Sequence, residues 1–344
     1  HYRFTGDHAF LVERAVPWLK ECLAFYEDFL IDNGTGTLAF VPSLSPENIP
    51  TGCESMITTN ATMDIAICRE VLTNLRAACD EFTGGPDIRA RCDALLERLP
   101  AYEVNEQGAL REWLDPRFPD NDHHRHQSHL YPFFPGCEIT PEQTPELVEA
   151  CREAVERRLT LGLRSQTSWS LIHMAHVFAR LGEGARANEC LELVTRAETG
   201  ANLLTYHNDW RGMGLSMGWL GTPPFQVEAN LGLTSAVLEM LCVSTPTVIR
   251  LLPGLPSTWP TGRVAGIGCR GGLTLDLAWD VDGGVLSARI AGPAGRAVTL
   301  GFSAPPRELC VEGMVTESRA STYGDCYRIL TLPGDGALEF SAQD

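Results

Sequence analysis

The sequence lacks the patterns that mark several common functional classes. No apolar run approaches the roughly 20 residues that span a bilayer, and the opening HYRFTGDHAF has neither the basic nor the apolar region of a signal peptide. There is no GxSxG elbow and no P-loop, and LGEGARAN has only two of the three glycines of a dinucleotide fingerprint. These absences give no support to a membrane protein, an α/β-hydrolase or a nucleotide-binding enzyme.

Positive charge is also scarce. The 344 residues include 27 Lys and Arg against 44 Asp and Glu, which gives a formal net charge of −17 at pH 7. Such a charge repels nucleic acid and anionic membranes, and the basic residues interleaved with aromatic ones that nucleic-acid binders need are absent. Neither nucleic acid nor a membrane is therefore an expected partner, and neutral or cationic ligands fit better.

None of the twelve cysteines forms a CxxC pair, and most fall in apolar helical stretches, as Cys68 and Cys151 do. We interpret them as small buried residues in a reducing environment rather than as a disulfide framework. Free thiols of this kind favour a cytoplasmic location. Because the chain begins with His1 rather than Met, we expect it to be part of a longer protein, whose export and oligomeric state stay open.

Apolar residues recur every three to four positions from residue 8 to about residue 243, a period that predicts helices. The first set is Leu11, Ala15, Trp18, Cys22, Tyr26 and Phe29. Further helices are predicted at about 168 to 182, 184 to 198 and 229 to 243. Long loops rich in Pro, Asn, His and Gly separate the helices, and such loops are usually functional. This region therefore predicts a helical toroid with a site at one end.

The period changes to strict alternation near residue 245. TVIRLLPGLP, LTLDLAWDVDGGVLSARIAG, AVTLGF and YRILTLP alternate apolar and polar residues, and Asp-Gly, Gly-Gly and Pro-Gly turns separate them. The turn in DVDGGV is the clearest hairpin signal. An antiparallel β-domain is therefore predicted at the C-terminal end.

Glu47, in PSLSPENIP, is the first candidate for chemistry. Pro42 and Pro46 stiffen the loop, and Ser45 and Asn48 supply hydrogen bonds. Held against apolar residues, this carboxyl could act as a general acid with a raised pKa. An exposed turn glutamate is the commoner case for so short a motif.

The loop DHHRHQSHLY places four histidines beside Asp122 and Arg125. Imidazoles can bind zinc or iron, but the spacing matches no HExxH pattern and Arg125 would repel a cation. A polar ligand site, with Arg and His donors converging on hydroxyls, fits better. A structural network around His129 and Tyr131 is the remaining interpretation.

Three later segments carry further candidates. Trp169 opens a helix whose cap is Thr167 or Ser168. Its ring either stacks on a sugar or lies buried. YHNDWRGMG contains His207 and Trp210 and forms either a ligand loop or an Asp209–Arg211 structural pair.

In PPFQVEANLG, the residues Gln226, Glu228 and Asn230 alternate, so an extended segment would put them on one face. Glu228 is then either a base or a favourable carboxylate at a helix start. Together with Glu47 it supplies the two carboxyl groups usual in glycoside hydrolysis.

Six stretches resemble landmarks of glycoside hydrolase family 95: HYRFTGD, PSLSPEN, HRHQSHLYPFFPG, TSWSL, PPFQVEANLG and RLLPGLPSTWPTG. They occur in the family's order, and together they are specific to this family of inverting α-L-fucosidases and α-L-galactosidases. The resemblance implies a mainly-α fold, with a partial (α/α)6 catalytic barrel over residues 1–243 and a small antiparallel β-sandwich over 244–344. It also implies that an N-terminal β-sandwich, several barrel helices and a water-holding Asn-x-Asn motif lie upstream in family members.

The resemblance assigns roles by motif. Glu47 resembles the general acid, and Arg125 and His126 match positions that bind the fucosyl ring. Glu228 falls where the family has aspartate as the general base, and its extra methylene can shift the carboxylate by roughly a C–C bond length. A misplacement of about 1 Å can lower a rate about a hundredfold. The change therefore keeps the chemical type but lowers the expected efficiency.

The implied activity is an inverting exo-glycosidase that releases a terminal α-L-fucosyl or related α-L-sugar from oligosaccharides or glycans. The remaining substrate-binding candidates are Trp169, His207, Trp210, Gln226 and Asn230. No metal or organic cofactor is needed. We expect weak or no hydrolysis from these residues alone, because the water-holding amides are absent. Two alternatives stay open: a catalytically impaired sugar-binding or structural fragment, and a phosphorylase that uses phosphate as the nucleophile.

Overall fold

The computed structural model describes residues 1–215, 223–306, 308–312, 319–321, 323–334 and 336–343. The chain divides into two compact units. The first comprises His1–Gly6, Leu171–His207 and Pro224–Asp344, and the second comprises Asp7–Ser170 and Asn208–Pro223. The domain division predicted at residue 243 stays a prediction.

Helices form where the apolar period indicated them. The α-helices among the described residues are α1 (Tyr2–Thr5), α2 (His8–Phe10), α3 (Val16–Phe29), α4 (Thr62–Ala77), α5 (Gly85–Leu96), α6 (Pro145–Leu161), α7 (Ser168–Arg180), α8 (Gly184–Leu193) and α9 (Val227–Leu241). Single 3-10 or π turns lie at Leu11–Ala15, Cys79–Glu81, Ser128–Leu130, Leu163–Ser165 and Val194–Glu198. Within the described part of the chain, no helix has the length and apolar character that crossing a membrane requires.

The first long helix buries the predicted face only in part: Leu11 and Tyr26 of the predicted set are buried, but Trp18 is not. Helix α3 buries Val16, Leu19, Leu23 and Tyr26, whereas Trp18 is 61% exposed. A π turn at Leu11–Ala15 precedes the helix and inserts an extra residue into one turn. The apolar face after that turn is therefore offset from the face that a continuous α-helical period indicates.

The strands come mainly after the helices. They are β1 (Ile31–Asp32), β2 (Leu38–Ala39), β3 (Ser43–Leu44), β4 (Ile57–Thr58), β5 (Cys242–Ser244), β6 (Ile249–Leu251), β7 (Thr261–Cys269), β8 (Leu273–Asp280), β9 (Val285–Ala291), β10 (Ala297–Gly301), β11 (Glu308–Glu312), β12 (Arg319–Ser321), β13 (Gly324–Thr331) and β14 (Ala337–Gln343). The short pairs β1–β2 and β3–β4 belong to the second unit. Helices followed by sheets confirm the predicted fold class.

Two five-stranded sheets form the C-terminal part of the first unit. Their strand orders are β12-β13-β10-β6-β5 and β11-β14-β9-β8-β7. The pairs are antiparallel as predicted, except that β6 and β10 run parallel. Asp280 pairs with Val285 across the predicted DVDGGV turn, so that hairpin is confirmed. Alternate residues of β8, Leu273, Leu275 and Leu277, join a core supplied by both sheets.

The twelve cysteines are free thiols, as predicted, and seven of them are buried. The sulfur atoms of Cys242 and Cys269 lie 3.7 Å apart in the core between the sheets. The thiols therefore act here as small apolar residues.

Helices α7 and α9 are linked through a buried histidine. His176 Nδ1 lies 2.8 Å from the carbonyl oxygen of Ile172, and its Nε2 lies 3.0 Å from Ser235 Oγ. The carbonyl requires a proton on Nδ1, and the lowered pKa of His176 favours the neutral ring, whose Nε2 then accepts from the Ser235 hydroxyl. Burial is the main cause that lowers the pKa of His176.

Replacement of His176 tests this assignment. Because its folded pKa lies below the unfolded value of about 6.5, its contribution to stability is complete above that pH and declines as the pH falls toward the folded pKa. The natural chain should lose unfolding free energy between about pH 7 and about pH 5. We expect the loss in His176→Gln to be smaller by up to about 2 kcal/mol. Urea denaturation at both pH values measures this.

A matched control is Ile172→Val, which removes one methylene from the same buried turn. It is expected to lower the free energy of unfolding by about 1 kcal/mol at both pH values. Equal pH-dependent losses in the natural chain and in His176→Gln would contradict the neutral, buried imidazole.

Candidate active site

The loop that carries Glu47 runs between strands β3 and β4. Its polar neighbours point inward, since Ser45 and Asn48 are 0% and 1% exposed. Ser45 Oγ donates a hydrogen bond to Glu112 Oε1, and Asn48 Nδ2 donates one to Glu112 Oε2, each at 2.7 Å. The predicted hydrogen-bonding role of Ser45 and Asn48 is therefore confirmed.

The expected apolar surroundings of Glu47 are wrong. Because Ser45 and Asn48 turn toward a buried carboxylate, Glu47 points outward and 61% of its side chain is exposed. Arg125 Nη2 donates to Glu47 Oε2 in an ion pair. The Glu47 carboxylate therefore lies at the surface in contact with the Arg125 guanidinium.

The His-rich loop lies directly against the Glu47 loop. Besides the Arg125 ion pair, the backbone N–H of Glu47 donates to His124 Nε2 at 3.3 Å. Ser128 Oγ donates to the carbonyl oxygen of Pro46 at 2.8 Å. These contacts join segments that lie far apart in the sequence, so Glu47 and Arg125 belong to one cluster.

His124 contributes to this cluster as a neutral acceptor. Burial lowers its pKa to about 3, and the charges of Arg158, His126 and Arg125 act in the same direction. The neutral ring accepts the Glu47 N–H at Nε2, which leaves the proton on Nδ1. His124 therefore helps to hold the Glu47 backbone.

The other histidines of the loop have separate surroundings. The His126 ring meets the His124 ring edge-on, with centroids 5.3 Å apart, and its carbonyl oxygen accepts from Arg158 Nη1. His129 is 3% exposed, and His123 faces solvent. Among the described side chains, no group of three or more His, Cys, Asp or Glu is placed to hold a metal ion. The contacts of His124 agree with a structural role, and those of Arg125 leave a ligand role open.

Trp169 lies at the first turn of helix α7 and is partly buried. Thr167 Oγ1 accepts from Ser170 N at 3.3 Å, and Thr167 N donates to Ser170 Oγ at 2.7 Å. This reciprocal pair confirms Thr167 as the predicted cap. The cap holds the start of the helix that presents Trp169.

Trp210 lies in a turn organised by Asp209. The Asp209 carboxylate accepts from Arg211 N at 3.0 Å and from Gly214 N at 2.7 Å. The Arg211 guanidinium lies over the Trp210 ring, 4.9 Å from its centroid, and Trp210 is 44% exposed. The Asp209–Arg211 contact therefore shapes the turn through the backbone, while Trp210 stays accessible to a ligand.

The expected extended segment at residues 226–230 is wrong. Helix α9 begins at Val227, so Glu228 and Asn230 lie within helical turns rather than alternating along a strand. Asn230 Oδ1 accepts from Thr205 N at 2.9 Å, and its Nδ2 donates to Leu203 O at 2.8 Å. These bonds occupy both polar atoms of the Asn230 amide and give it a structural task.

Glu228 lies in the first turn of α9 and is exposed. It makes no hydrogen bond or ion pair with any residue that the structure describes. Gln226 is 8% exposed, and its backbone exchanges hydrogen bonds with Thr205 at 2.8 and 2.6 Å. His207 N donates to Pro224 O at 2.8 Å. The structure therefore leaves both interpretations of Glu228 available, as a base or as a helix-start carboxylate.

The predicted site residues fall in both compact units. Glu47, Arg125, His126, Trp169 and Trp210 belong to the second unit, and His207, Gln226, Glu228 and Asn230 to the first. Within the second unit, Glu47 and Arg125 are in direct contact. Their functional roles stay predictions.

Sequence reasoning missed Glu112 and Arg158, whose side chains are 1% and 2% exposed. The position of Arg158 within the apolar face of helix α6 could have identified it as buried. Arg158 lies on the face of α6 that buries Ala154, Val155 and Leu159, and a charged residue in such a stripe usually has a buried partner. No comparable pattern marks Glu112, which lies outside the helices and strands.

Comparisons with known proteins agree with the two structural regions. The glycosyl hydrolase family 95 catalytic domain matches residues 1–241, and the glycoside hydrolase family 95 C-terminal domain matches residues 244–326. The catalytic match covers well over half of the chain.

Named relatives belong to plants and fungi. Alpha-L-fucosidase 2 of Arabidopsis thaliana is 35% identical over 284 residues, which cover 81% of this chain and 33% of that protein. The probable alpha-fucosidase A of Aspergillus niger is 26% identical over 310 residues, or 84% of this chain and 37% of that protein. The chain thus spans little more than a third of the length of these relatives.

A solved structure shares the fold. Streptomyces avermitilis alpha-L-rhamnosidase matches 99% of this chain with a TM-score of 0.52 at 11% sequence identity, and the match covers 31% of that chain. This likeness agrees with the predicted partial (α/α) toroid followed by sheets. The match of the catalytic-domain family over residues 1–241 shows that the chain belongs to glycoside hydrolase family 95.

Proposed function

We propose that this chain supplies catalytic residues to a glycoside hydrolase that releases a terminal α-L-fucosyl or related α-L-sugar with inversion. The observation that carries the proposal is the exposed Glu47 carboxylate, held between two anchored residues and beside the Arg125 guanidinium. The names of the plant and fungal relatives support the α-L-fucosyl substrate class.

Glu47 is assigned as the general acid that protonates the glycosidic oxygen. Its carboxylate is exposed and in contact with the Arg125 guanidinium. Arginine offers five N–H donors in a fixed plane, so Arg125 can bind a sugar hydroxyl beside Glu47. Arg125 and His126 are assigned to bind the sugar ring.

Glu228 is assigned as the general base. It is exposed in the first turn of α9 and makes no hydrogen bond or ion pair with a described residue, so its carboxylate is accessible to water. Inverting glycosidases use one carboxylic acid and one carboxylate in these two roles. The assignments of Glu47 and Glu228 rest on the surroundings of each carboxylate separately.

Replacement of Glu47 tests the acid assignment. In the full-length protein, Glu47→Gln is expected to lower kcat on a fucosyl-α-1,2-galactoside by about 10²- to 10⁴-fold, the range for loss of a general acid or base. Glu54→Gln, an exposed change in the same loop, is the control and should leave kcat unaltered. Equal kcat values for the Glu47 variant and the natural protein would refute the assignment.

A series at Glu228 tests the base assignment. Glu228→Asp should sustain turnover, because the carboxylate is kept, whereas Glu228→Gln and Glu228→Ala should lower kcat by at least about 10²-fold. Steady-state kinetics on the same substrate measure these changes. If all three variants behave alike, Glu228 is only a favourable helix-start carboxylate. Restoration of the Gln variant by added phosphate would favour a phosphorylase instead.

Product stereochemistry tests inversion. Proton NMR of the first turnovers should show the β-anomer of the released sugar before mutarotation, because water attacks the face opposite the leaving group. First appearance of the α-anomer would indicate a retaining enzyme. Retained sugar binding without turnover would favour the impaired, sugar-binding alternative.

A further inference from the structure

A buried ion pair lies beneath the Glu47 loop and is not used by the proposed chemistry. Glu112 and Arg158 are 1% and 2% exposed at their side chains, and Arg158 Nη2 donates to Glu112 Oε2 at 2.9 Å. The Glu112 backbone is also held, since its N–H donates to Asp120 Oδ1 at 2.8 Å and its carbonyl accepts from Thr62 N at 3.0 Å. The carboxylate therefore has a fixed position.

Both oxygens of Glu112 are occupied by donors. Oε1 accepts from Ser45 Oγ at 2.7 Å, and Oε2 accepts from Asn48 Nδ2 at 2.7 Å as well as from Arg158. All three partners donate, which suits the ionised carboxylate. Burial raises the pKa of Glu112, and the Arg158 charge and the two hydrogen bonds oppose that effect.

Arg158 connects the same pair to the second loop. Its Nη1 donates to the carbonyl oxygen of His126, the residue that follows Arg125. Glu112 thus holds the residues on either side of Glu47, and Arg158 holds the backbone beside Arg125. Neither charged residue of the pair touches the Glu47 carboxylate.

A purely stabilising role does not explain this arrangement well. Apolar residues of similar volume often replace a buried ion pair without loss of stability. Apolar residues could not, however, accept two hydrogen bonds from one loop and donate one to another. The directional bonds, rather than the burial, are what this pair supplies.

We propose that Glu112 and Arg158 are positioning residues that set the Glu47 carboxyl group relative to the leaving oxygen of the substrate. The inference rests on the proposed role of Glu47 as general acid. A displacement of about 1 Å at a reacting group can lower a rate about a hundredfold. Loss of the anchor should therefore impair protonation of the leaving group more than it impairs sugar binding.

The test uses two substrates that differ in their need for an acid. A fucosyl galactoside has a basic leaving group that needs a proton, whereas a 2,4-dinitrophenyl α-L-fucoside has a leaving group that departs as a stable anion. In the full-length protein, Glu112→Gln should lower kcat on the galactoside about a hundredfold, because its amide N–H₂ would face the Asn48 or Arg158 donors. It should lower kcat on the dinitrophenyl fucoside much less, and KM should change little on either substrate.

Ser45→Ala provides a milder variant in case the Glu112 change prevents folding. It removes one of the loop's bonds to Glu112 and leaves the Glu112–Arg158 pair intact. We expect a selective loss on the galactoside of about tenfold, smaller than for Glu112→Gln because the Asn48 bond remains. The control is Tyr102→Phe, which deletes a hydroxyl bonded to Glu138 and to neither residue of the Glu112–Arg158 pair. It should leave both substrates unaffected.

The outcomes separate this inference from the proposed function. Glu47→Gln must itself show a selective loss on the galactoside, and without it the acid assignment fails and the inference fails with it. A second outcome is that Glu47→Gln shows the selective loss, whereas Ser45→Ala and a folded Glu112→Gln lose activity equally on both substrates. The pair is then structural, and only this inference is overturned. Selective losses in all of these variants support both.

Discussion

The buried ion pair between Glu112 and Arg158 is the contact on which the arrangement of the candidate site depends. Glu47 and Arg125 are 78 residues apart in the sequence, and their loops meet over this pair. Each loop is tied to it by hydrogen bonds with fixed directions. Ser45 and Asn48 point inward to Glu112, and Glu47 between them points outward. The buried hydrogen bonds therefore determine which side chain reaches the surface.

A charged anchor of this kind differs in effect from an apolar one. Removing charges from water is costly, and the attraction within the pair recovers that cost only with good geometry and further hydrogen bonds. Glu112 has such bonds from two neighbouring loop residues. Apolar contacts have no preferred direction, whereas the hydrogen bonds that this pair makes are directional.

The same physical reasoning separates the two candidate carboxylates. Glu47 is exposed and paired with the Arg125 guanidinium. Glu228 is exposed at a helix start and makes no hydrogen bond or ion pair with a described residue. The proposed acid and the proposed base therefore differ in their immediate surroundings.

Much of the fold followed from patterns that repeat along the chain. Helices, the alternating strands and the DVDGGV hairpin depend on neighbouring residues, so period and turn chemistry were enough to place them. The π turn before α3 offset the buried face of that helix, and α9 began at Val227, two residues before its predicted start. The family motifs and their order were also recognisable from the sequence, because each motif is a short continuous stretch.

The sequence by itself thus determined the helical and sheet regions, the family and the candidate residues, all of which depend on short-range order. Only the tertiary structure decided that Glu47 faces solvent beside Arg125 and that Glu112 holds the loop beneath it. These contacts join residues that no local pattern relates. They arise because buried donors and acceptors must find partners, and in this chain the partners lie in distant segments.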